Sequence, residues 1–76
     1  MTMFDRKTRM MLLLGMLNDC FGDVRSTIAN ISDFIASHRD FEEIEELELR
    51  NILEKAHELE KKILEAMDRA KKEIYS

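Results

Sequence analysis

The sequence predicts an all-α protein, an antiparallel two-helix hairpin that self-associates into a four-helix or larger bundle. Three observations predict it. The 76 residues contain no proline and two glycines, Gly15 and Gly22. Leu, Ile, Glu, Lys, Ala and Met dominate, which is the composition of long helices. Apolar residues recur with a seven-residue period, and one interruption, at Ser37-His38-Arg39-Asp40, divides the chain into near-equal halves. A single domain over residues 1–76 follows, with helix 1 over about 6–37, a turn at 38–40 and helix 2 over about 41–75. At 1.5 Å per residue these helices are roughly 48 and 52 Å long.

Residues 1–4 form a loose start. Asp5, or Thr8 a turn later, can cap the first helix. With Met10 at heptad position a, that position continues as Leu17, Val24 and Ile31. Position d holds Leu13, Cys20, Thr27 and Phe34, and position e holds Leu14, Phe21, Ile28 and Ile35. So wide a stripe fits a helix in a bundle better than a narrow two-stranded seam. Gly22-Asp23 resembles a helix stop and restart, but the heptad phase runs through it without a slip. One continuous helix is therefore expected.

For the second helix, Asp40 with Glu43 three residues later matches a capping box. Glu42, Glu43, Glu45 and Glu46 lie in the first turns, where the helix dipole favours anions. They also form an acidic patch suited to a basic partner. Position a holds Leu49, Ala56, Ile63 and Ala70. Position d holds Ile52, Leu59, Ala66 and Glu73, and position e includes Leu53, Met67 and Ile74. Ile44 and Leu47 fit this phase poorly, so the first two turns are expected to face a different neighbour. Glu46/Arg50, Glu58/Lys62, Glu65/Arg69 and Asp68/Lys72 are acid-to-base pairs at i, i+4 and mark the solvent side.

A chain this short buries a small core and often needs a disulfide, a metal or oligomerisation. Cys20 is the only cysteine, so no disulfide forms within one chain, and a lone thiol suits a reducing compartment. Oligomerisation is the remaining route. The run Met10 to Leu17 is apolar on every side of a helix, more than one neighbour can cover. Met10, Leu13, Leu14 and Leu17 belong to the main stripe, while Met11, Leu12, Gly15 and Met16 are left over. With Gly22, these leftover residues are the expected interface for another subunit or a protein target. Small residues admit a close neighbour, methionines make an adaptable surface, and a solvated mid-helix glycine weakens a helix.

The net charge is −4, concentrated after residue 39. That balance disfavours nucleic-acid binding, since phosphate contacts supply most non-specific affinity. The apolar run is far short of the ~20 residues a membrane span needs, and no small-residue cleavage site follows it. The expected location is the cytoplasm.

Three stretches carry chemistry-like patterns. Glu54-Lys55-Ala56-His57 has the Glu-x-x-His spacing of di-iron four-helix bundles, but helix 1 offers no glutamate and both residues fall on the solvent side. Ala56-His57-Glu58-Leu59 resembles the phosphoacceptor stretch of histidine phosphotransfer and histidine kinase dimerisation domains, which implies phosphotransfer at His57 as an alternative function. The stretch sits deep in the second helix, however, and the glycine that follows the phosphotransfer motif is absent. Glu43-Ile44-Glu45-Glu46 with Glu65-Ala66-Met67-Asp68 resembles the carboxylate motifs of all-α nucleotide pyrophosphohydrolases, which implies Mg²⁺. On one continuous helix these motifs stand roughly 33 Å apart and cannot share an ion. The expectation is a non-enzymatic oligomeric helical protein, a small regulator, adaptor or inhibitor, with no catalytic residue, cofactor or metal. A membrane-surface role for the basic-then-apolar stretch over residues 6–17 is a further alternative.

Overall fold

The structure, a computed structural model, describes residues 4–76. The expectation for residues 1–3 lies outside the described residues. Three helices follow in order: α1 (Arg6–Ser37), α2 (Glu43–Glu46) and α3 (Leu49–Ile74), with no strand among the described residues. Helix α1 packs along α3 as a hairpin, and the single turn of α2 packs on α3 near the connection.

Of the two candidate caps, Asp5 is used. Its carboxylate accepts the Thr8 amide at 2.8 Å, which satisfies one of the amides left unpaired at a helix start. That hydrogen bond to the charged form pulls the Asp5 pKa below its ordinary value. Helix α1 then passes through Gly22 unbroken, with helical backbone at both glycines. It ends where the His38 amide bonds back to the Phe34 carbonyl at 3.0 Å. The His38 ring stacks on Phe34 with centroids 4.4 Å apart, and Phe41 meets Phe34 edge-on at 5.8 Å. These rings fill the turn.

The second half departs from a single helix over 41–75. It is divided at Leu47 and Glu48, and Glu48 takes a left-handed backbone with φ 53° and ψ 43°. The cause is the phase mismatch of Ile44. On a continuous helix Ile44 would fall at position c, away from the stripe. Swinging α2 about Glu48 buries Ile44 instead, leaving it 2 % exposed, which is worth about 2 kcal/mol against roughly 1–2 kcal/mol for a left-handed residue. Leu47 gains nothing and stays exposed. The expected Asp40/Glu43 capping box does not form: α2 begins after Glu42 without a side-chain cap. The same break changes an ion pair. Arg50 bonds to Glu45 at 3.0 Å in place of Glu46, because the two no longer lie on one helix. Asp68–Lys72 forms as expected, at 3.1 Å.

Glu48→Gly is expected to stabilise the fold by about 1 kcal/mol, since glycine takes this backbone without steric cost. Urea unfolding measures it, and a loss of stability would contradict the account of the break.

Packing within the hairpin is uneven across the stripe. The buried side chains Ile35, Ile63, Met67, Ala70 and Ile74 all occupy positions a and e. Position d is the exposed edge: Leu13, Phe34, Ile52 and Leu59 each keep two-fifths or more of their surface open. The molecule measures 54 × 24 × 15 Å, so it is two helices wide and one helix thick.

Candidate functional site

The feature that stands out is the face carrying the d positions. In an antiparallel pair, a two-fold perpendicular to the plane of the helices relates one to the other. Equal heptad positions therefore share a face. The structure agrees with that geometry at both ends. Arg6 and Glu73, each at position d by extension, bond across the hairpin at 2.6 Å, which further raises the Arg6 pKa. On the opposite face, positions b and e of both helices line the grooves: Leu14, Asn18, Met67 and Lys71 near the open end, and Ser32, Ile35, Arg50 and Leu53 near the turn.

The d face is thus a mostly apolar strip contributed by both helices, interrupted on α1 by the exposed Thr27. Leu13 and Leu59 are about half exposed, at 48 % and 51 %, with Phe34 and Ile52 close behind. Between them lie half-buried Cys20 and Ala66. The Cys20 thiol donates to the Met16 sulfur at 3.6 Å, which carries the strip onto position g. The Arg6–Glu73 pair closes one end, and the Phe34–His38–Phe41 rings close the other.

The residues left over from the Met10–Leu17 run do not form one surface. Met11 and Gly15 line the groove of the b/e face together with Ile74 and Tyr75. Leu12 and Met16 are exposed as well and lie outside that groove. Gly15 and Gly22 are open: a side chain added at either would meet nothing within 4 Å. Sequence periodicity missed that the d row would be the exposed one. The missing signal was the tilt of the stripe, since positions a and e, not a and d, face the hairpin partner.

The acidic residues Glu42, Glu43, Glu45 and Glu46 are all exposed around α2, with Glu45 engaged by Arg50. The break at Glu48 puts the two carboxylate motifs on different helices, Glu43–Glu46 on α2 and Glu65–Asp68 on α3. Even so, no three His, Cys, Asp or Glu side chains converge among the described residues. His57 is exposed on α3, 3.8 Å from Glu60 one turn on, and Glu54 beside it is exposed too. No helix among the described residues is long and apolar enough to cross a membrane.

Comparison with known proteins places the chain in a sequence family. A protein of Archaeoglobus fulgidus, described as an uncharacterized protein, is 51 % identical over 69 residues, covering 90 % of this chain and 91 % of its own length. No family model matches the chain, and no solved structure matches it.

Proposed function

This chain belongs to the same family as that Archaeoglobus fulgidus protein, and we propose that it is a non-enzymatic, self-associating helical hairpin that acts through protein–protein contacts. The observation that carries the reading is the amount of surface left open. The chain exposes 6127 Å², whereas a compact monomer of 9.0 kDa exposes about 4,850 Å². The excess of roughly 1,300 Å² is larger than the ~800 Å² each partner contributes to a standard stable interface. Part of it is apolar and shared by both helices, with Leu13, Phe34, Ile52 and Leu59 exposed on the d face, and large contiguous apolar patches are uncommon on isolated monomers. A second apolar layer laid on that face completes a four-helix bundle core.

The chemistry of the exposed groups supports a binding role over catalysis. His57 is exposed, with Glu60 3.8 Å away, and lies outside the grooves described above. The acidic turn α2 and the Met11/Gly15 groove remain outside the d face. They are the surfaces through which a small regulator, adaptor or inhibitor of this design meets a different protein.

Thermal unfolding at several protein concentrations tests the reading. A self-associated chain gains stability by mass action, so a tenfold rise in concentration raises Tm by about 4 °C. A Tm independent of concentration sinks it.

A further inference from the structure

We propose that the second copy docks on the d face about a two-fold axis parallel to the helices, so that α1 of each copy lies against α3 of the other. The inference rests on the self-association reading and adds the pairing. Two arrangements bring two d faces together with all neighbours antiparallel. One axis runs along the helices, keeps heights unchanged and sets α1 on the other copy's α3. The other runs across the helices, inverts heights and sets α1 on α1 and α3 on α3.

Charge chooses between them. Position g flanks the d face on its outer rim. On α1 the midpoint of that rim is Asp23, and on α3 it is Lys62, with Lys55 and Arg69 one heptad to either side. The grooves fix their heights. Asn18 and Met67 line one groove, and Ser32 and Leu53 the other, so Asp23 and Lys62, each between those residues on its helix, lie near the same height. With the axis along the helices, Asp23 meets Lys62 of the partner subunit on both rims. With the axis across them, each midpoint meets itself: Asp23 beside Asp23 of the partner subunit, and Lys62 beside Lys62 of the partner subunit. Lys55 and Arg69 then also face each other across copies.

The ends of the strip give the same answer. The Arg6–Glu73 ion pair lies at the open end, and the Phe34–His38–Phe41 rings at the turn. Unchanged heights put ion pair on ion pair, as an alternating ring of four charges, and aromatic on aromatic. Inverted heights press a charged pair onto an aromatic cluster, where it loses water without gaining a partner. Rim charges of this kind select orientation more than they add affinity.

Thiol cross-linking tests the pairing. The protein carries Asp23→Cys and Lys62→Cys in a Cys20→Ala background, and is treated with a short bismaleimide and mapped by mass spectrometry. Within one hairpin the two positions lie on the outer sides of the two helices, and a link inside one chain is told from a link between copies by its monomer mass. The expected product is a dimer joined from residue 23 of one copy to residue 62 of the other. Links of 23 to 23 and 62 to 62, or a dimer with neither link, overturn the pairing and leave self-association standing. A chain that stays monomeric overturns both. Charge reversal supplies a second readout: Asp23→Lys or Lys62→Asp alone raises the dimer Kd about tenfold, and the two together restore it. If neither single reversal changes Kd, the pairing is wrong.

Discussion

Leu59→Glu is expected to convert the self-associated protein into a folded monomer. Leu59 is 51 % exposed on the d face of α3. In the hairpin alone, glutamate there keeps its carboxylate in water and is as good a helix former as leucine, so helix content should stay near that of the wild type. In the four-helix bundle the same carboxylate would be drawn, once per copy, into the apolar layer between the two hairpins. Burying unpaired charge costs several kcal/mol, and the dimer Kd should rise by about a thousandfold or more. Leu64→Glu is the control. Leu64 is similarly exposed, at 45 %, on the same helix five residues away, but at position b on the opposite face. It should leave the mass unchanged. Equal effects of the two substitutions would remove the d face from the account.

Ile44→Ala is expected to be among the most destabilising single changes in the hairpin. Ile44 is the most completely buried large side chain among the described residues, and it holds α2 against α3. Truncation removes the transfer free energy of three carbons and leaves a cavity, about 2–4 kcal/mol together. For a chain of 76 residues that is a large share of a total near 4–11 kcal/mol. It also removes the gain that offsets the left-handed backbone at Glu48. The α2 turn should therefore loosen first, with faster amide exchange over residues 42–48 than in α1. Urea unfolding and hydrogen exchange measure the two effects. A loss below ~1 kcal/mol would show that the break in the second half has another cause.

These residues also show what the sequence made legible. Helix α1 was readable end to end, because its signals are local: an Asp5 cap, an unslipped heptad through Gly22 and a polar break after Ser37. The hairpin followed from the length match. The division of the second half was half-visible. Ile44 and Leu47 were out of phase, but no glycine marked the turn, and a glutamate in left-handed conformation is selected by the tertiary burial of Ile44, which local propensity does not register. The Asp40/Glu43 capping box failed for the same reason, since the chain is already turning toward the core there.

The exposed apolar row was the least legible feature. A stripe three positions wide gives the apolar side of a helix but not which edge of it meets the hairpin partner. Positions a and e took that role, leaving Leu13, Phe34, Ile52 and Leu59 open. Met11 and Leu12 are adjacent in sequence, yet 100° of helical rotation sends them to different sides of α1. Grouping them as one surface used proximity in the chain where direction from the helix axis decides.

Sedimentation equilibrium on the wild-type chain alone tests the central claim most directly. The account predicts a mass that is an even multiple of 9.0 kDa, twice that value for the four-helix bundle, and reversible dissociation on dilution. A mass of one chain at all concentrations up to those where the d face would have to be buried would contradict it.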